Sequence, residues 1–486
     1  MARTIVPLLL LGMVAARGSG SPVADPHAAA RLPAPEEPRY LLLWRPPEAV
    51  AGMVRRIGAT GDGTTRLLGF GLPCSTFAAE KQVPDMVRSA FAAARRNNVA
   101  VMLQFDFHVE WRNRPDLWNW FDPAKPGYNP NNRANVEWFG WNGPVAQVRY
   151  LNWGAPERMA PPVCFTSKRV RAEWRRLIGK VIVPAILPEL AQLRREGKGR
   201  LFAGILVGSE PTVDNYRKTD PDTARMIDAD RAPRGQLGYR ALLDRGYSAS
   251  KPPPDMVKAL AGIVQETVAF WCRAFVEAGI SPSKLYPHIP AGADDAVTCT
   301  PAWTAFNQWS RPGWSTYGVG PLREGFGPLY TELRKHGGPA WGGVEANVGF
   351  PGTLADWETY LAWHYNHGAV LVGINTGATG TELPGLLEKS AFSPDAIAAY
   401  RKFLSGAKLV AKPLPGVDAT KRIRAKMATL QAGFQSWLKD RRDPSPIARD
   451  VERVLPALLQ AGKLPEAEAV IDAAIRKVAD KGGAKP

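Results

Sequence analysis

The sequence predicts an α/β protein: a (β/α)8 TIM barrel with long loops after strands three and four, plus a C-terminal helical appendage. Three observations predict it. Short apolar runs recur along residues 40–405, and most are followed by a stretch with helical spacing. Regular strand–helix alternation argues for a parallel sheet, and the repeat count over that length suits a closed eight-fold barrel with insertions. Two of the runs close on a glutamate, Glu210 and Glu345. Acids are depleted inside strands, so each marks a strand end. An open doubly wound sheet is the alternative, but it usually carries a Gly-rich phosphate loop after its first strand, and none is found here.

The strands are read from runs that are apolar on both faces, as buried parallel strands are. They are expected at Tyr40 to Trp44, Arg66 to Pro73, Val99 to Phe107 and Leu201 to Ser209. The remaining four are expected at Leu285 to Ile289, Trp314 to Gly318, Trp341 to Ala346 and Ala369 to Asn375. Helical spacing places helices at Glu48 to Ile57, Val83 to Arg96 and Ser167 to Glu196, the last with Pro184 and Pro188 as breaks. Further helices are expected at Asp255 to Ala278, Gly327 to His336, Leu354 to His367 and Pro394 to Leu404. Long insertions follow the third strand (Val109 to about Phe165) and the fourth (Thr212 to Pro254).

Outside the barrel, residues 1–21 read as a signal peptide. Arg3 supplies the basic start, Ile5 to Ala16 the apolar stretch and Val14-Ala15-Ala16 a small-residue cleavage site. A flexible leader of Pro and Ala fills 22–39, and no later stretch is expected to reach membrane length. The mature chain is therefore expected to be exported and soluble. Residues 406–418 contain a Pro-rich linker, and 419–486 fit three helices, a packing appendage or a hairpin for a protein partner. The net charge of +17 is scattered over helix faces such as Lys168 to Arg176. It is compatible with an anionic glycan as partner. No nucleic-acid motif accompanies it. Of four cysteines, Cys272 lies in a helical pattern and is expected free, whereas one bridge among Cys74, Cys164 and Cys299 is allowed. No CxxC or HExxH pattern points to a metal, and no cofactor is expected.

Two carboxylates at the C-terminal ends of barrel strands are the minimum equipment for acid/base and nucleophilic work on a glycosidic bond. With Pro211 following Glu210, the pattern resembles the clan A glycoside hydrolases. The resemblance implies a general acid/base at Glu210 on strand four, a nucleophile at Glu345 on strand seven, and a steering role for Tyr317 at the end of strand six. It covers residues 40–404 and has departures. Ser209 stands where the family usually has Asn, Asn375-Thr376-Gly377 where it commonly has Trp, and strand two lacks the frequent Arg.

The substrate side is expected from the strand ends and the third loop. That loop mixes Trp111, Trp118, Trp120, Trp138, Trp141 and Trp153 with Asn113, Asn119, Asn129, Asn131, Asn132, Asn135, Asn142 and Asn152. Flat apolar faces beside hydrogen-bond donors suit a sugar ring, although such a loop also needs aromatics to pack itself. Asp106, His108, Trp111, Ser209, Asp214, Tyr216, His288, Tyr317, Trp341, Asn347 and Asn375 are the candidate contacts. His364 and His367 are expected to have a surface or packing role rather than to bind metal. An exported retaining glycosidase is the expected activity; a non-catalytic carbohydrate-binding or cell-envelope barrel is the alternative.

Overall fold

A computed structural model describes residues 37–74, 76, 80–108, 110–144, 150–152, 156–158, 161–213, 236–290, 300–316, 326–346, 354–377, 384–410, 415–440, 442–460 and 464–480. The sequence expectations for Trp153, Asp214, Tyr216, Cys299, Tyr317 and Asn347, and those for the leading segment, lie outside these residues.

The barrel strands are β1 (Arg39–Trp44), β2 (Arg66–Cys74), β3 (Ala100–Phe105) and β4 (Phe202–Val207), then β5 (Leu285–Pro287 with Ile289–Pro290). They continue with β6 (Gly313–Ser315), β7 (Trp341–Ala346) and β8 (Ala369–Ile374). Every pair is parallel, and β1 pairs with both β2 and β8. β4 pairs with Leu285–Pro287 and β6 with Ile289–Pro290, so the two halves of β5 close the ring. His288 sits between them yet stays in the ladder. Its N–H donates to Val207 O at 3.1 Å, and its carbonyl accepts from the Glu210 N–H at 3.1 Å.

The strands are buried along most of their length because helices cover the outside and side chains fill the inside. Close strand contacts make room for bulk. A Cβ on Gly71 would come within 2.7 Å of the ring of Trp44, the last residue of β1. The helices fall where the spacing predicts them, with Pro394–Leu404 starting on an N-cap from Ser393. Between Lys168 and Arg195 the helix does not break; a π-helical turn at Ile178–Ile182 precedes Pro184, and Pro188 lies inside the last segment. A helix the sequence reading missed, Pro384–Ala391, follows β8.

The helix Met256–Glu277 corrects the expectation that no later stretch reaches membrane length: it is long and apolar enough to cross one. It serves as a barrel helix here. Trp271 on it is buried among Phe107, Phe165 and Trp174, with ring centroids 5.2–6.2 Å away. A bridge between Cys74 and Cys164 is also ruled out. Both are buried free thiols, as is Cys272. Burial pushes Cys74 and Cys272 up to about 12.

Beyond the barrel, helices Pro415–Lys439, Ser445–Gln460 and Leu464–Asp480 share a core of their own. Ile423, Leu430 and Trp437 of the first pack with Ile447, Val451 and Leu455 of the second and Ala467, Ile471 and Ala474 of the third.

Candidate active site

Glu210 lies three residues past β4, on a turn opened by Gly208 at φ 86°. Glu210 itself has φ 49°, in the left-handed region that costs a side-chain-bearing residue about 1–2 kcal/mol. Among the described residues the only other non-glycine with positive φ is Asn98, at a helix C-terminus. The hydrogen bond from Glu210 N–H to His288 O fixes the turn against β5. Backbone strain held by its surroundings is typical of functional positions.

Glu345 is the penultimate residue of β7. The pairing of β7 with β6 slips between Gly343 and Glu345, so Glu345 faces Ser315 after an irregularity in the ladder. Such irregularities re-aim side chains near active sites. The Glu345 carbonyl is held by the Thr316 N–H at 2.6 Å. Thr316 is itself buried against Tyr360 and His364, with oxygen–oxygen and oxygen–nitrogen distances of 3.0 and 3.1 Å.

The two carboxylates and His288 meet across the barrel mouth, with one donor atom of each within 4.8 Å of the others. His288 Nε2 is 3.0 Å from Glu345 Oε2 and 3.8 Å from Glu210 Oε1. It faces them without an aligned hydrogen bond to either. On the other side of the ring, Nδ1 is 3.1 Å from Gln104 Nε2. Burial works against a charged His288, but Glu345 first, then Glu210 and Asp106, outweigh it and hold its pKa above the ordinary value. Each glutamate has its own support. Ser315 Oγ donates to Glu210 Oε1 at 2.6 Å, and Asn375 Nδ2 donates to Glu345 Oε1 at 2.6 Å. Asn375 is oriented in turn by the Gly377 N–H, which donates to its Oδ1 at 2.8 Å.

Of the residues singled out in the sequence, the structure therefore gathers Glu210, His288, Glu345 and Asn375, with Asp106 close enough to act on His288 electrostatically. Ser209 is buried beside Glu210. Others do not face a substrate. Trp111 is 1% exposed and donates its Nε1–H to Pro161 O, and Trp341 is fully buried, donating to His367 O. Both pack the interior, where indole burial dominates the energetics. His108 is buried, stacked on Trp271 and edge-on to Phe165, with its backbone N–H on Asp106 Oδ1. It belongs to the aromatic cluster behind β4.

The third loop also spends its amides on itself. Asn119 donates to the carbonyls of Asp122, Lys125 and Pro126, Asn132 to that of Asn119, and Asn135 to that of Leu117. A long loop has backbone carbonyls to satisfy, and these buried asparagines satisfy them. Trp138 lies against the guanidinium groups of Arg133 and Arg240, and Trp141 against Tyr239. His364 and His367 bond to the helix carbonyls of Tyr360 and Trp363, His364 buried and His367 on the surface.

Ser315 and Gln104 are functional neighbours that the sequence reading missed. Ser315 gave no signal, since the ladder slip that sets it against the site is a tertiary feature. Gln104 did: an amide inside the apolar run Ala100–Phe105 needs a buried partner.

The fold and site define a parallel (β/α)8 barrel that brings together one carboxylate after strand four and one on strand seven. No protein-family model and no curated protein matches the sequence. Among solved structures the chain is similar to a GH5-4 broad-specificity endoglucanase from an uncultured bacterium, at 10% identity and TM-score 0.37, covering 73% of this chain and 84% of that one. A glycoside hydrolase family 5 enzyme from Prevotella bryantii B14 is similar at 8% identity and TM-score 0.33, over 74% and 86%. A D-psicose 3-epimerase from Clostridium cellulolyticum H10 is similar at 9% and 0.34, over 76% and 99%. At that level of likeness the barrel rests on its strand ladder and the site on its own geometry.

Proposed function

We propose that the chain is an exported retaining glycoside hydrolase that cleaves O-glycosidic bonds in an oligo- or polysaccharide. The observation that carries this reading is the meeting of Glu210 and Glu345, with carboxylate oxygens within 4.8 Å across the barrel mouth. That approach suits retention, in which the carboxyl groups stand about 5–5.5 Å apart, better than inversion, which needs about 6.5–9.5 Å to admit a water. Both carboxylates remain partly open to solvent, at 14% and 23% side-chain exposure, so a substrate can reach them.

In the first step a Glu345 oxygen bonds to the anomeric carbon while the bond from that carbon to the leaving oxygen breaks. Glu210 gives its proton to the leaving oxygen. In the second step Glu210 takes a proton from water, whose oxygen bonds to the anomeric carbon as the Glu345 ester bond breaks. Asn375 holds Glu345 and Ser315 holds Glu210 by hydrogen bonds, with His288 Nε2 3.0 Å from Glu345. The positive charge of the chain favours an anionic glycan, and the leading apolar segment favours export.

The experiment is hydrolysis of a panel of neutral and acidic glycans by the parent, Glu345→Gly and Glu210→Gln. Glu345→Gly should be inactive and regain turnover with azide, giving a glycosyl azide of inverted configuration. Glu210→Gln should lose about 10²–10⁴-fold. Variants that hydrolyse glycans like the parent overturn the reading. Binding without turnover by the parent would make the barrel a carbohydrate-binding protein.

A further inference from the structure

Gln104 lies behind the site, and its bonding determines which ring nitrogen of His288 carries the proton. Its side-chain nitrogen is 3.1 Å from Gly208 O and 3.1 Å from His288 Nδ1. A carbonyl oxygen only accepts, so the group facing Gly208 is the amide NH2, and its second hydrogen is directed at Nδ1. Nδ1 must then offer its lone pair, which leaves the proton of the neutral ring on Nε2. Nε2 is the atom that faces Glu345 and Glu210.

We propose that Gln104 is a positioning residue that locks His288 as the Nε2–H tautomer, so that a buried N–H always points at the carboxylate pair. The lock ties three strands together: Gln104 on β3, the Gly208 carbonyl after β4 and His288 in the middle of β5. His288 is enclosed at 2% exposure, and Gln104 is half-buried behind it. With the opposite tautomer, an Nε2 lone pair would face the Glu345 carboxylate 3.0 Å away and repel it.

The lock has two consequences. First, it opposes a cation at Glu210, His288 and Glu345, although their donor atoms are close enough to share one. A ligating imidazole needs a bare nitrogen toward the metal and an acceptor behind the other N–H; here a donor stands behind it. Second, it opposes the second proton. Glu345, Glu210 and Asp106 are the charged groups acting on the ring, and they favour imidazolium. An Nδ1–H would meet the Gln104 N–H, so Gln104 and burial hold the ring back from full charge.

The test is ring-¹⁵N NMR of histidine-labelled full-length protein. The signal of His288, among six histidines, is assigned by its loss in His288→Gln. At a pH above the His288 titration midpoint the parent should show a protonated Nε2 and a bare Nδ1. Gln104→Glu replaces the donor with an acceptor; it should put a proton on Nδ1 and raise the His288 titration midpoint by about one unit or more. Gln104→Leu should give a mixture of tautomers. A parent signal with the proton on Nδ1, or a tautomer unmoved in both variants, overturns the proposal. The parent spectrum decides even where a variant fails to fold. The kinetic part rests on the glycosidase reading: Gln104→Leu should lower kcat about tenfold and shift the pH profile, with KM unchanged. A parent with the locked tautomer but no hydrolysis would sink the activity and leave the lock intact.

Discussion

Ser315 Oγ donates to Glu210 Oε1 at 2.6 Å, from a strand two positions around the barrel. A hydrogen bond to a charged group is worth about 1.5–3 kcal/mol. Ser315→Ala should therefore reduce kcat/KM about 10–100-fold with little change in Tm. Ser315→Thr, which keeps the hydroxyl, should recover part of the loss. Equal activity in Ser315→Ala and the parent would show that Glu210 holds its place without this donor.

Asn375 holds the partner carboxylate from the opposite direction. Asn375→Ala removes the donor, whereas Asn375→Asp places a second negative charge against Glu345. The aspartate should be the worse of the two in kcat despite being closer in shape, because like charges at contact disfavour the ionised pair. Measuring both at several pH values checks this; an alanine variant slower than the aspartate at every pH would contradict it.

The backbone of Glu210 leads to a prediction about stability. At ordinary positions glycine is less stable than alanine by roughly 0.5–1 kcal/mol. At φ 49° the order should reverse, with Glu210→Gly more stable than Glu210→Ala by about 1 kcal/mol. Thermal unfolding of the two variants decides it. An alanine variant with the higher Tm would mean that the turn relaxes when the carboxylate is gone.

His364 makes acid sensitivity predictable. It is fully buried, and burial holds it down to about 4, against 6.5 for an unperturbed imidazole. A histidine neutral in the fold and free to protonate when unfolded contributes fully above pH 6.5, and that contribution is lost as pH falls toward 4. The shift corresponds to ~3 kcal/mol at most. Urea unfolding across that window should show the decline in the parent and a flatter curve in His364→Gln. Parallel curves would exclude His364 as the source.

How far the sequence could be read depends on what each residue answers to. β1, β4, β7 and β8 are apolar on both faces, and that pattern by itself announces a covered parallel strand. Glu210 and Glu345 were legible because an acid at the end of such a run has no packing reason to be there. Their partners were not. Ser315 reaches Glu210 only through ring closure and a slipped ladder. Gln104 reads as one polar residue in a strand until its two neighbours are known. The third loop misled in the other direction. Trp111, Asn119 and Asn135 have the composition of a sugar-binding surface, but the loop needs a core and carbonyl partners of its own, and those residues supply them.

His288 both completes the ring of strands and reaches the two glutamates. The glutamate–histidine cluster is therefore complete only in a chain whose ring of strands has closed at β5. Chains of this size usually pass through partly folded intermediates, and an intermediate lacking that strand junction would lack the glutamate–histidine cluster. After dilution from denaturant, turnover should lag behind the return of helical circular dichroism and appear with the rate of the slowest refolding phase, so that an enzyme assay doubles as a count of closed molecules.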